Sequence, residues 1–280
     1  QALGGAVQVQ GGMGALAGRK DAGVHIQAQG QISSQGLRAQ TELPWLAQLG
    51  QQAQGATPYS LQLDFVGDAV DFSWASSLQG LAINLPAPLG KTASSVQNLH
   101  ISQRSLPSKS GRSVQSLQAS WGQDLAAHYE LQRDSKQPAA APVVRGLLSL
   151  GALPANTRLP DSGVQFLLQA DVLDAEAWRE RLGAALDVSS KLASEQEWLQ
   201  AYVPQRVALR VGRLNVGERA FHSVNAVVER GSDSSWKLSG QAQEVAGQPP
   251  KRPRPRPPGG RHLGGPPQLG LGGGGSRKNM

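Results

Sequence analysis

The chain contains no cysteine, which excludes a disulfide framework and a thiolate zinc site and leaves the redox character of its compartment open. Charged residues are only 17% of its 280 positions. No run of about 18 apolar residues occurs, so no segment is suited to cross a membrane as a helix. The opening QALGGAVQVQ has neither a basic region nor an apolar core and does not form a signal peptide. It also lacks an initiating methionine, and a piece of a longer protein is expected. The five histidines, at 25, 100, 128, 222 and 262, are scattered, and no HExxH or HxxxH spacing is available for a metal. No GxSxG elbow is present. GGMGALAGRK (11–20) is glycine-rich, but Arg-Lys stands where a phosphate loop needs Lys-Ser or Lys-Thr; it reads as a turn between strands.

Positive charge is scarce outside one segment. The net charge of +7 resembles a nucleic-acid signature, yet Lys251, Arg252, Arg254, Arg256, Arg261, Arg277 and Lys278 supply all of it, with no acid among residues 248–280. The other 247 residues carry 20 basic and 20 acidic side chains and are neutral. The terminal segment holds eight of the 18 prolines and nine of the 34 glycines, cannot bury a core, and is expected to be disordered. It reads either as a basic arm or as a frame-shifted end of GC-rich coding DNA. We carry the second reading, which leaves no nucleic-acid partner.

What the chain has in abundance is two-residue alternation. Tyr59, Leu61, Leu63 and Phe65 alternate with Ser, Gln and Asp. Leu125 to Leu131, Val164 to Val172, Val207 to Val211, Val224 to Val228 and Trp236–Leu238 repeat the pattern. Roughly a dozen such strands joined by Gly, Ser and Asp turns predict a mostly β chain, antiparallel, with one wet face. Two segments have helical spacing instead. In 174–186 Asp174 is a candidate N-cap before Trp178, Leu182 and Leu186. In 194–204 Ser194 and Glu197 form a capping box, and Pro204 ends the run. Both are expected to pack on one end of the sheet.

Chemistry-bearing constellations are weak. His128 and Glu130 share a strand face, and Asp64, Asp68 and Asp71 cluster around a glycine turn; the first pair reads as a solvated face and the second as turn residues. No catalytic site is expected. The apolar faces pose a different problem, because a sheet with one apolar face must bury it. Against so little helix, it either closes as a sandwich or curls into a trough suited to acyl chains, and periodicity does not separate the two. The uncharged stretch SSLQGLAINLPAPLG (76–90) is read as a strand, 78–85, ended by Pro86 and Pro88 at a sheet edge. It is then either a stiff loop on a groove rim or a rigid turn packed on its own sheet.

TELPWLAQL (41–49), TPYSLQLDF (57–65) and above all SSLQGLAINLPAPLGKTA (76–93) resemble the central region of the YhdP proteins, large AsmA-like, TamB-related proteins of the Gram-negative envelope. Residues 146–178 and 206–247 are similar to later parts of the same pattern, so the resemblance spans about residues 20 to 247. It implies an elongated, curved antiparallel sheet (a β-groove) with two short helices and a disordered C-terminal tail. The expected parts are a groove segment (1–173), a helical insertion (174–205), a continuation of the sheet (206–247) and the tail (248–280). The family implies a periplasmic protein, inner-membrane-anchored by a helix that this chain lacks, which shields phospholipid acyl chains in transit to the outer membrane without a cofactor. Leu61, Leu63, Phe65, Phe166, Leu168 and Leu209 are the residues expected to touch acyl chains. The alternative is a non-catalytic scaffold that binds protein partners along sheet edges. A dozen strands give a trough of only about 60 Å, which fits a fragment better than a complete bridge.

Overall fold

Alternating side chains need a pleated backbone, and the chain supplies one repeatedly. The structure, a computed structural model, describes residues 3–15, 22–40, 44–67, 69–106, 113–133, 142–152, 157–181, 183, 200–231 and 235–243. The tail at 248–280, Asp68, residues 16–20 and residues 184–199 lie outside the described residues, and residues 11–15, expected to be part of a turn, are strand. The strands are β1 (Val7–Ala15), β2 (Ala22–Ser33), β3 (Ala53–Val66), β4 (Ala69–Ser76), β5 (Leu81–Ile83), β6 (Leu99–Leu106), β7 (Ser113–Trp121), β8 (Leu125–Arg133), β9 (Val143–Leu150), β10 (Gly163–Asp174), β11 (Arg206–Val216), β12 (Arg219–Arg230) and β13 (Trp236–Gln241). They form one open sheet in the order β1-β2-β3-β4-β6-β7-β8-β9-β10-β11-β12-β13, with β5 added to the start of β3. The described residues hold no second sheet that would close a sandwich.

Every pairing was expected to be antiparallel. All are, except those of β10, which runs parallel to both β9 and β11. The cause is connection length. Hairpins join antiparallel neighbours, whereas parallel neighbours need a crossover of a dozen residues or more. Residues 151–162 and 175–205 are the two longest connections in this part of the chain.

Three short helices are described. α1 (Ser34–Arg38) starts at Ser33, whose Oγ accepts from Gly36 N at 3.0 Å. α2 (Pro44–Gln51) follows, and Arg38 ties the two together by donating from Nε to Gly50 O and from Nη2 to Ala53 O, both at 2.9 Å. Neither helix was expected, being too short to show a period; Ser33 as a cap and Pro44 at a first turn were the available signals. α3 covers 175–181 and has the expected cap, with Asp174 Oδ1 accepting from Ala177 N at 2.9 Å. Of the other expected helix only the end, from Gln200, is described.

Besides a register shift against β9 between Glu130 and Leu131, the alternation slips on three neighbouring strands together. Ala170, Val211 and Val224 share a face, and so do Leu173, Leu214 and Phe221 three residues along. Two residues per strand, rather than one, therefore point outward between them. Val172, which the period of two places inside, is 52% exposed. Ser223 takes a left-handed φ of +51° to make the step, and at Gly212 a Cβ would lie 2.7 Å from Asp171 O. This aligned step, which leaves the register unchanged, keeps the far end of β10–β12 turned into the core.

Candidate functional site

The register aligns one line of side chains across the whole sheet. Val9, Ala28, Leu61, Trp74, Ile101 and Ala119 are successive partners from β1 to β7. Ala127, Leu148, Phe166, Val207, Val228 and Leu238 continue it from β8 to β13. All twelve are apolar. One residue along, on the opposite face, the line runs through Gln10, Gln27, Gln62, Gln118, Gln165 and Lys237, and Leu147 is its one apolar member. The apolar line is not sealed. Ala28 is its one buried member, Val9 and Leu238 at the edges are exposed, and the other nine are partly buried.

The six residues expected to line the groove all lie on this face. Leu61 and Phe166 stand in the line itself. Leu63 and Phe65 follow along β3, opposite Phe72 and Val70 of β4. Leu168 and Leu209 are direct partners, flanked by Leu150 and Ala226. Phe166, Leu168 and Leu209 belong to one apolar cluster and Leu61 to another. Sequence reasoning missed Trp74, whose ring stacks on Tyr59 with centroids 5.9 Å apart, and Trp121, which joins both clusters. The run Leu117, Ala119, Trp121 was the signal for the latter.

Between β4 and β6 the chain crosses this face as a strap, residues 77–98. Its strand is only Leu81–Ile83, shorter than the expected 78–85 and paired with Ala53–Gly55 rather than set at a rim. Leu78, Leu81, Leu85 and Leu89 are all buried: the first two pack with Ile32 and Tyr59, the second two with Leu150, Leu168, Val211 and Val224. The proline-bracketed loop is closed at its neck, where Ile83 and Lys91 exchange backbone bonds of 2.9 and 3.0 Å. Lys91 Nζ then donates to the carbonyls of Leu78, Leu81 and Thr92 at 2.8, 2.6 and 2.9 Å, and burial lowers its pKa. Close backbone approach at the strap's entry needs glycine: at Gly55 (φ +102°) a Cβ would lie 2.2 Å from Gly80 O.

The strap also links distant parts of the sheet. Ile83 pairs with Ala53 of β3, and Ala87, four residues on, accepts from Trp178 Nε1 of α3 at 3.2 Å. Four extended residues reach at most about 14 Å. On a flat sheet β3 and β10 would be six strands, about 29 Å, apart. The strap thus spans the apolar face from β3 to the helix that follows β10, on the inside of the curved sheet.

The constellations that suggested acid–base chemistry are engaged in the polar face. Asp64 and Asp71 are register partners; Asp64 Oδ1 is 2.5 Å from His25 Nδ1, and Asp71 Oδ1 accepts from Ser105 N at 2.7 Å. Glu130 accepts from Arg145 Nε at 2.8 Å. His128 Nε2 is 3.0 Å from Ser116 Oγ, and burial, aided by Arg145 and opposed by Glu130, lowers its pKa.

A single curled sheet with an apolar interior and a polar exterior defines a groove-forming β protein. The chain belongs to the YhdP family: the family model described as YhdP protein matches residues 1–254. It is thus an envelope-associated protein of the AsmA-like type. No helix among the described residues is long and apolar enough to cross a membrane. No curated protein and no solved structure matches the chain.

Proposed function

We propose that this chain is a segment of a periplasmic, inner-membrane-anchored lipid-transfer protein, and that its apolar face shields phospholipid acyl chains on their way to the outer membrane without catalysing a reaction. The observation that carries this reading is the line of twelve apolar residues, all but Ala28 left partly or fully uncovered, across the twelve strands of the sheet's main path. A protein that needed the face only for stability would seal it. Each methylene removed from water contributes about 0.8 kcal/mol, so one acyl chain along the trough supplies of order 10 kcal/mol before entropic costs.

The test is photo-crosslinking in the periplasm with labelled phospholipid, with the reactive amino acid at Phe166 and, separately, at its neighbour Gln165 on the polar face. Crosslinks at 166 and not at 165 support the trough. Lipid at neither position, in folded protein, sinks it. The scaffold reading is favoured by one feature: among the described residues β1 and β13 have no strand on their outer sides, and on β13 Trp236 and Leu238 are 51% and 73% exposed. Crosslinks to protein along β13 with no lipid at Phe166 would favour that reading instead.

A further inference from the structure

The polar face carries a cavity that the trough does not use. It measures about 570 Å³, the size of a small-molecule site. Its floor is Leu167, Ala208 and Val227, successive register partners on β10, β11 and β12. Each is the middle or outward-facing member of an apolar triplet, FLL, VAL or AVV, so the polar alternation fails at one register on three strands together. Beside the floor runs a polar row, Gln169, Arg210, Asn225 and Gln241, again in register. On β10 to β13 the only inward-facing residues that border the cavity are those between these two rows, and among the described residues neither the strap nor α3 lines it. It therefore opens on the face opposite the trough. Arg210 is the one charged residue of its lining. Arg145 and Arg206, on the same face, are held by Glu130 and Glu229. Arg210 stands between two amides in register and pairs with no carboxylate among the described residues.

A guanidinium among amides, beside an apolar floor, is complementary to an oxyanion on an apolar arm. Guanidinium and carboxylate meet through two parallel hydrogen bonds. One arginine with no second cation in the lining matches a single negative charge. A carboxylate carries one, whereas a phosphate monoester carries about −1.5 to −2. Asn225 Nδ2 already donates to Ser223 O at 3.3 Å, so Gln169 and Gln241 are the amides open to a ligand. The floor crosses two strand spacings, about 10 Å, which sets the length of the arm. We propose that this cavity binds a small amphipathic carboxylate, with its head on Arg210 and its apolar arm over Leu167, Ala208 and Val227. The site faces away from the trough, so it does not depend on acyl chains filling the trough.

The test titrates the methyl-labelled full chain with octanoate, acetate and octyl glucoside, followed by nuclear magnetic resonance. Octanoate has both head and arm, acetate the head alone, and octyl glucoside the arm alone. The wild type is expected to bind octanoate roughly tenfold more tightly than either of the others, the ratio that one charge-assisted hydrogen bond or two buried methylenes supply. Methyl shifts are expected at Ala208 and Val227 and not at Val207 and Val228, their chain neighbours on the trough face. Arg210→Gln removes the charge and is expected to weaken octanoate about tenfold with the thermal midpoint unchanged. Equal octanoate affinity in the wild type and R210Q, or octyl glucoside bound as tightly as octanoate, overturns the carboxylate assignment. Acetate bound as tightly as octanoate overturns the apolar arm. Shifts confined to Val207 and Val228 place octanoate in the trough, which overturns this site and leaves the acyl-chain reading standing. No binding of any probe overturns the site outright.

Discussion

At the scale of single residues, the strap depends on polar groups placed where apolar ones would seem to belong. Thr57 is 1% exposed, yet its hydroxyl is satisfied by Ser76 Oγ at 3.2 Å, which in turn donates to Pro58 O at 2.7 Å and accepts from Leu78 N at 3.1 Å. Lys91 does the same for the strap's far side. Lys91→Met keeps the apolar stem but removes the ammonium donor from the carbonyls of two buried leucines, of which Leu78 keeps Leu81 N at 3.2 Å. We expect a loss of about 1–2 kcal/mol, read as a lower urea midpoint with an unchanged slope. Tyr129 gives a pH dependence. Its ring is buried against Tyr202, 5.2 Å between centroids, and its hydroxyl donates to Tyr202 O at 3.3 Å. Burial raises the pKa of Tyr129 above the ordinary 10, with the Tyr202 phenol adding to the shift, and burial raises Tyr202 as well. The folded state therefore keeps these phenols neutral at a pH where the unfolded chain ionises them. Their contribution is complete below about pH 10 and is lost as pH rises toward the folded values. Urea midpoints should fall steeply above pH 10, and less steeply in Tyr129→Phe; a flat alkaline profile would refute this.

At the scale of elements, the aligned step and the strap do what individual propensities do not foretell. Ser223 lies within β12, where valine has the higher strand propensity. Its φ of +51° is a conformation a β-branched residue resists. Ser223→Val should therefore destabilise by about 1–2 kcal/mol, whereas the same change at Ser73, mid-strand on the polar face, should be within about 0.5 kcal/mol of neutral. Equal effects at the two sites would show that the step carries no strain. The strap is held by leucines at 9% and 6% exposure. Leu89→Ala should cost about 2–4 kcal/mol and weaken hydrogen-exchange protection first at Leu81–Ile83, the short strand whose place depends on the loop beyond it.

At the scale of the whole molecule, the chain divides after Gly247 into two units, 1–247 and 248–280. All of the net charge belongs to the second, and the sheet and all three clusters belong to the first. Ending the chain at residue 247 should remove seven positive charges and leave the thermal midpoint within ~1 °C, measured by circular dichroism. A large drop would mean that the terminal unit supports the sheet. The trough is a property of this scale alone. Its interior line takes one residue from each of twelve strands, and contacts of such long sequence separation have no local signature.

The sequence by itself determined the class and the inside of this protein. Two-residue alternation is a local pattern, and it put Leu61, Leu63, Phe65, Phe166, Leu168 and Leu209 on one face before any pairing was known. The cap at Asp174 was legible for the same reason, since a side chain meets its own backbone three residues on. Only the tertiary structure decided the rest. The parallel placement of β10 follows from where two crossovers land, and periodicity does not say which neighbour a strand will take. Val172 and Leu173 exchanged faces because three strands step together, which no one of them shows alone. Of the two readings of the proline-rich loop, the turn packed on its own sheet holds and the rim does not, because Leu85 and Leu89 find partners on β9 to β12, at least 61 residues further along the chain.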